Sequence, residues 1–360
     1  MAKDIKSDDL VVHFLNVGFG DTIIIEFPAD ASGNRRYGLI DCYSGKKTIS
    51  YLDKLMQNIP AAQKKMAFIC ATHPHYDHIA GIRSVMKSVY CPLEFWDSGF
   101  RHNSQTYKNI LDEVFTKNIR MVRVSSGMEW YFGCVRITAL SPAVSLRNRF
   151  ATYGVDMNNA SIVLRIEHTK QDAIIMQSKE YKGDVSQEAT REAGKSVMIL
   201  GGDAEFDSWT YVSQEYPKVE RNSSHNPLVK KMINYLSASV IKVAHHGSMH
   251  SAPLDLYEKI TPGLAIISTK QQKSSKKLVL GNITRDLFPH QSAVLALEES
   301  NTKILTTDGS YESQAFGNNV KDNTNNHPGS IVVVVPPGGI PRSIKLSDTE
   351  DIIPDPPKVV

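Results

Sequence analysis

The segment Thr72-His73-Pro74-His75-Tyr76-Asp77-His78 sets four side chains of metal-ligating type within six positions, directly behind the apolar run Phe68-Ile69-Cys70-Ala71. Four polar groups delivered by a buried strand are costly to fold around unless something satisfies them, and a divalent ion does so. His73 and His75, two apart in extended chain, point to the same side and suit one ion. Asp77 and His78 follow where the chain turns into a helix and face a second position. Two further apolar runs end in the same residue types. Met198-Ile199-Leu200-Gly201-Gly202 leads to Asp203, and Ile241-Lys242-Val243-Ala244 leads to His245-His246-Gly247-Ser248. Strand ends are where open α/β sheets place their sites. Asp203 is suited to bridge two ions ~3.5–4 Å apart, a spacing that activates a shared water and clamps attacking and leaving oxygens. Imidazole and carboxylate donors, with no cysteine among them, make two divalent ions, zinc or manganese, the expected cofactors.

Around these segments the chain alternates strand and helix patterns, which implies an α/β layered fold. A hairpin is expected over 11–27, turning at Gly18-Phe19-Gly20-Asp21. Strands are expected at 37–41, 66–71, 93–96, 135–140, 161–166, 197–200, 240–244, 264–268, 303–306 and 331–335. Helices are expected at 50–56, 79–89, 107–117 and 291–297. Most of the strands are apolar on both faces, as in sheets covered by helices. One domain is expected over 10–346, with flexible ends at 1–9 and 347–360 and a polar insertion near 177–195. The loop 271–277, beside Lys270 and containing Lys276 and Lys277, is a candidate substrate-facing loop, and 316–328 an Asn-rich loop. Lys242, alternating with core residues, reads as structural.

With 360 residues, 41% of them hydrophobic, the chain can bury a large core, but its net charge of +3 is too small to argue for nucleic acid by itself. Cys42, Cys70, Cys91 and Cys134 are scattered and form no C-x-x-C pair, which fits reduced thiols and a cytoplasmic protein. The charged start Met1-Ala2-Lys3-Asp4 is followed by no apolar leader, and no stretch approaches the ~18 apolar residues of a membrane span, so neither secretion nor a membrane partner is expected.

The segment His73 to His78 resembles the H-x-H-x-D-H signature of the metallo-β-lactamase fold superfamily, an αββα sandwich of two mixed β-sheets flanked by helices. Phe14-Leu15-Asn16-Val17-Gly18-Phe19-Gly20-Asp21-Thr22, Leu39-Ile40-Asp41, Leu200-Gly201-Gly202-Asp203-Ala204, the segment 241–248 and Phe288-Pro289-His290 are similar to the branch containing the C-terminal domain of the DNA-uptake competence channel protein. The resemblance implies that His73, His75, Asp77, His78 and Asp203 are metal ligands. The last ligand comes from the His-His-Gly-Ser segment. His245 is first off the strand, whereas His246 precedes the glycine as the final ligand does in many relatives; the other then binds substrate or orients a ligand. Many members carry one more histidine before the bridging aspartate. Here the candidates are His102 and His168, the latter expected at the far, surface end of its strand. Asn159, in a segment similar to a branch feature, is expected in the space that histidine vacates. Asp21 and Ser248 are expected beside the ligands.

The activity implied is that of a phosphodiesterase or nuclease using a metal-bridging hydroxide on DNA, RNA or a nucleotide. Asp77 would hold the nucleophile, and His290, or the non-ligating one of His245 and His246, would serve as acid. Alternatives are a small-molecule phosphodiesterase acting on a cyclic nucleotide or phosphocholine ester, a lactonase or β-lactamase-type hydrolase, and a non-catalytic regulatory module binding fewer than two ions.

Overall fold

Runs such as Thr22-Ile23-Ile24-Ile25 and Ile331–Val335 are β-branched on both faces, so they favour extended chain and need cover on both sides. The computed structural model describes residues 5–145, 157–170, 194–222, 230–251, 253–270, 288–311, 313 and 327–346. In chain order its elements are β1 (Leu10–Phe14), β2 (Thr22–Glu26), β3 (Tyr37–Cys42), α1 (Gly45–Leu55), β4 (Phe68–Ala71), α2 (Tyr76–Ile79), α3 (Ile82–Met86), β5 (Glu94–Asp97), α4 (Gln105–Thr116), β6 (Arg120–Arg123), β7 (Glu129–Phe132), β8 (Val135–Ser141) and β9 (Val163–Thr169). There follow β10 (Lys195–Leu200), α5 (Phe206–Glu215), β11 (Val219–Asn222), β12 (Lys230–Ile233), β13 (Val240–Lys242), α6 (Leu254–Ile260), β14 (Leu264–Ile267), α7 (Gln291–Glu299), β15 (Lys303–Thr306), β16 (Ile331–Val335) and β17 (Arg342–Lys345).

The strands make two mixed sheets, one in the order β17-β16-β1-β2-β3-β4-β5-β6 and one in the order β15-β14-β13-β10-β9-β8-β7, with β11-β12 as a separate pair. The sheets face each other across one core, where Leu10, Phe14, Ile40, Phe68 and Trp96 meet Ile137, Leu164, Met198, Leu200 and Ile266. On the outer face of the first sheet Leu52, Ile82, Val85 and Ile110, from α1, α3 and α4, cover Ile24, Leu39 and Ile69. On that of the second, Trp209, Leu256 and Leu297, from α5, α6 and α7, cover Ile199, Ile241 and Ala265. The layers are therefore αββα, as expected.

Strand direction positions the site. β3, β4, β5 and β6 run parallel to one another, as do β10, β13, β14 and β15, so the chain segments leaving β4, β10 and β13 share an edge. The edge is stitched across the sheets, since Ile162 N donates to Thr72 O at 2.9 Å, and within the second sheet Asp203 N donates to Ser161 Oγ at 3.2 Å.

Several sequence expectations need adjustment. The helix expected over 50–56 starts at Gly45, where Ser44 accepts a capping bond from Lys47 N. The helix expected over 79–89 is the pair α2 and α3, broken at Gly81; a Cβ there would lie 2.3 Å from Gly45 N, so α1 and the break pack backbone to backbone. Strands β6, β7, β11, β12 and β17 and helices α5 and α6 were not foreseen. Residues 5–9, within the segment expected to be flexible, are held: Ile5 is buried, and the Arg35 guanidinium donates to Lys6 O and Asp9 O. The insertion 177–195 apart from Gly194 and Lys195, the lysine loop 271–277, residues 316–326 of the Asn-rich loop and the tail 347–360 lie outside the described residues. Among the described residues no helix is long and apolar enough to cross a membrane.

Candidate metal centre

His73 and His75 leave β4 in extended chain, and at His75 (ψ 150°) the backbone turns into α2, which carries Asp77 and His78 inward. Asp41, at the end of β3, ties this loop down. It accepts from Thr72 N at 2.8 Å, Thr72 Oγ1 at 2.7 Å and His78 Nδ1 at 2.7 Å. The last bond fixes the His78 ring with Nε2 facing the edge between the sheets. His246 is set in the same way, its Nδ1 donating to Ser268 O at 2.8 Å.

Two tight bends bring the other residues in. Gly202 (φ 52°) turns the chain after β10, where an added Cβ would meet Ile162 O at 3.1 Å and Ser161 Cβ at 3.2 Å. After β13, His245 (φ 45°), His246 (φ 51°) and Gly247 (φ 75°) are successive left-handed residues. For the two histidines this costs ~1–2 kcal/mol each, and bonds from His245 N to Gly202 O, Ser248 N to His245 O and His290 N to Gly247 O hold the turn. Such strain is kept where surrounding structure over-determines it.

The result is a set of converging donors. His78 Nε2 lies 3.1 Å from Asp203 Oδ2 and 3.8 Å from Asp77 Oδ2, while His246 Nε2 lies 3.4 Å from Asp77 Oδ2 and 4.0 Å from Asp203 Oδ2. These four residues offer ligand atoms all within 4.8 Å of one another. Next to them His73 Nε2 is 3.0 Å from His75 Nδ1 and 3.9 Å from Asp203 Oδ2, so Asp203 stands between two groups of donors.

The donors fit a cation. His78 Nε2, His246 Nε2 and Asp203 Oδ1 are buried without a well-aligned hydrogen bond, which a folded chain tolerates poorly unless an ion completes them. Charge agrees with geometry. Asp21, Asp41 and Asp203 are fully buried and Asp77 partly so, and among the described residues the buried ammonium facing them is that of Lys242. Lys242 donates to Asp21 Oδ2 and, at 3.2 Å, to Gly202 O. Burial alone would lower the His78 imidazole, but the Asp203 and Asp41 carboxylates outweigh it and hold it well above its usual pKa. Burial also pushes Asp203 up, yet the His78 and His246 rings pull it well below the ordinary carboxylate range. His73 goes the other way, lowered by burial and by the neighbouring His78. His73 and the ionised Asp203 are therefore in the forms that ligate metals, whereas His78, held protonated by its two carboxylates, would bind an ion by giving up its Nε2 proton.

No family model matches the chain. Its sequence is similar to ComE operon protein 3 of Bacillus subtilis (strain 168), 21% identical over 306 residues that make up 82% of this chain and 32% of that protein. The chain thus spans about a third of the length of the curated relative it matches. The chain has the metallo-β-lactamase fold. Solved structures of that fold resemble it distantly: the protein YhfI from Bacillus subtilis (TM-score 0.37, 12% identity, 72% of this chain and 85% of that one) and a long form RNase Z from yeast (TM-score 0.36, 13% identity, 79% and 42%). The fold itself is read from the αββα layers, the sheet topology and the motif at their shared edge.

Within this metallo-β-lactamase fold the remaining expected residues fall into place unequally. His245 turns away from the donor cluster, its Nδ1 at 2.7 Å from Glu205 Oε1 and 3.5 Å from Asn158 Nδ2. Asn159 is buried, but its Oδ1 accepts from Ser208 N at 3.1 Å, inside the first turn of α5. Its side-chain oxygen is thus spent on that helix rather than offered to the site. His168 is a correction. It sits at the far end of β9 as expected, but it is buried rather than on the surface, with Nδ1 bonded to Val335 O at 2.8 Å. Ser248 Oγ accepts from His250 N and closes its own turn. His290 caps α7, its Nδ1 accepting from Ser292 N at 3.2 Å, which leaves Nε2 as the protonated nitrogen. Asp21 lies under the site against Lys242, with its backbone N on Asp77 O at 3.1 Å. His102 stands beside His75, ring centroids 5.8 Å apart. Sequence reading missed Asp41 as the anchor of His78 and Glu205 as the partner of His245. The first was signalled by a carboxylate ending the apolar strand Leu39-Ile40-Asp41.

Proposed function

We propose that the chain is a metal-dependent hydrolase working with two divalent ions, zinc or manganese, on a phosphodiester. The observation that carries the reading is Asp203 set between two donor groups, His73 with His75 on one side and Asp77, His78 and His246 on the other. Of the two histidines left open by the sequence, His246 is the proposed ligand, because it is buried, presents Nε2 and belongs to the converging group. When bound, the ions supply an activated water at neutral pH and positive charge against the phosphoryl oxygens.

The protein's own groups do the rest. Burial pushes the Asp77 carboxyl up, but the His246 and His78 rings outweigh it and keep it ionised well below the usual range. Its side chain is the least buried of the cluster, with 29% exposure, so it can both ligate and hold an attacking water by accepting its hydrogen bond on the open side. His290, with Nδ1 accepting from Ser292 N, is suited to donate a hydrogen bond from Nε2 to a phosphate oxygen, and would serve as acid toward a leaving group once it takes up a second proton. His245, held by Glu205, is the other candidate acid; burial would lower it, but the hydrogen bond to Glu205 holds it above its ordinary pKa.

The phosphodiester assignment rests on the branch resemblance of the opening hairpin and the His-His-Gly-Ser turn, and extends to DNA, RNA or a nucleotide as substrate. It is tested by hydrolysis of bis-p-nitrophenyl phosphate and of labelled single- and double-stranded DNA. Metal-free protein is resupplied with manganese or zinc and run beside Asp77→Ala. Metal-restored cleavage lost in the variant supports the reading. Two bound ions with no cleavage of any of these would end the general phosphodiesterase reading in favour of a selective small-molecule substrate.

A further inference from the structure

The two donor groups are unequal. Among the described residues the group at Asp77 has four donors gathered within bonding reach of one ion, whereas the His73 and His75 side has those two and a share of Asp203. The residues expected to make up the difference are engaged elsewhere: Asn159 Oδ1 is taken by Ser208 N, and His168 is bonded to Val335 O at the opposite end of β9.

His102 comes from a different element. β5 is the parallel neighbour of β4, with Cys70 beside Trp96 and Ala71 beside Asp97, so the chain leaving β5 emerges next to the chain bearing His73 and His75. That segment is anchored on both sides of His102. Phe100 is buried against Ala143 and Ala160, and Ser104 caps α4 by accepting from Tyr107 N at 3.2 Å. Between these anchors His102 is half-buried, and its ring stands edge-on to His75 at 79° with centroids 5.8 Å apart. Two imidazoles on one tetrahedral ion, with nitrogens ~2.1 Å from it, have centroids ~5 Å apart, so a small side-chain movement is enough. His102 Nδ1 is buried and has no hydrogen-bond partner. A polar nitrogen in that state beside an incomplete set of donors is the mark of an absent partner.

We propose that His102 is the third protein histidine on the ion held by His73 and His75, supplied by the loop after β5. The inference rests on the two-ion reading above. It makes the chain's first metal position a His73, His75, His102 and Asp203 site, supplied from a loop that also borders a groove lined by Arg101, Lys108, Arg123 and His102 itself.

The test counts ions rather than turnover. Wild-type protein, His102→Ala and His102→Gln are loaded with zinc, dialysed and assayed for zinc per chain, and each metal-free form is titrated with cobalt while its absorption is followed. Wild type is expected to keep two ions. Both variants should keep one, with affinity for the other weakened ~10–100-fold, the scale seen when groups supporting a metal site are removed. Two ions held with unchanged affinity in the variants would overturn the role of His102 and leave the two-ion reading standing. A single ion in the wild type would overturn that reading and His102 with it. Should the variants fail to fold, cadmium-loaded, ¹⁵N-labelled wild type decides: a coupling between His102 and cadmium is required, and its absence rejects the proposal.

Discussion

The Lys242 ammonium donates to the Asp21 carboxylate across 221 positions of sequence, with both side chains almost wholly buried beneath the candidate metal centre. It also stands 4.0 Å from Asp203 Oδ1, so one cation braces the opening turn of the chain and the carboxylate between the two donor groups. Burial would strip a lone lysine of its charge, but Asp21 and Asp203 hold the Lys242 amine above its ordinary pKa.

Removing one partner of a buried pair leaves an uncompensated charge, at a cost of ~3–5 kcal/mol. Lys242→Met and Asp21→Asn should each lose stability on this scale in the metal-free protein. The double variant should lose less than the sum. A urea double-mutant cycle measures the coupling, and strictly additive losses would mean that the two side chains do not act as a pair.

Glu167 gives a pH signature away from the metal centre. Burial pushes its carboxyl up, but Arg165 at 2.7 Å, Lys195 and Arg136 outweigh it and take it from 4.5 to about 2. A folded-state pKa depressed in this way contributes stability that is complete above pH 4.5 and lost as pH falls towards about 2. Glu167→Gln should therefore be markedly less stable than wild type at pH 7, with the difference shrinking between pH 4.5 and pH 2. Denaturation curves that stay a constant distance apart over that range would contradict this.

His246 and His245 are neighbours with opposite surroundings. His246→Ala should lower the zinc retained per chain, since it deletes one of four converging donors. His245→Ala should retain the same zinc and lose turnover instead, because its ring faces Glu205. Elemental analysis of the two dialysed variants separates these roles; zinc lost only from His245→Ala would reverse the assignment.

Gly202→Ala forces a side chain into a left-handed residue, at ~1–2 kcal/mol, and crowds Ile162 O and Ser161 Cβ. Lower stability and weaker ion binding are expected together, as Asp203 follows directly. Calorimetry of loaded and metal-free protein reads both, and a variant as stable as wild type with unchanged affinity would remove the need for glycine there.

Much of this was legible in the sequence because the strands leading to the candidate site are buried on both faces and therefore largely apolar, Lys242 apart. Met198-Ile199-Leu200 and Ile241-Lys242-Val243 stand out whatever surrounds them. Edge strands do not. Arg120–Arg123 is largely solvent-facing and carries two arginines, so its composition resembles that of a loop, while Glu129–Phe132 buries only one face, where Trp130 and Phe132 pack on the core, and is too short for its alternation to stand out. Pairings set by tertiary structure were equally hidden. A carboxylate ending the strand Leu39-Ile40-Asp41 marks Asp41 as unusual but not its partner, and nothing local shows that it meets His78, that Lys242 meets Asp21, or that Asn159 serves α5, since each depends on which strands lie side by side. His168 misled for the same reason, because the end of β9 is roofed by the chain following β16, supplied from 167 positions away.

The most direct measurement is a titration of metal-free protein with manganese or zinc in which bound ions and phosphodiester hydrolysis are followed together. The account predicts two ions per chain, no hydrolysis before metal is added, and activity that rises as the second ion binds. Hydrolysis by the metal-free chain, or a doubly loaded chain that cleaves no phosphodiester, would contradict it.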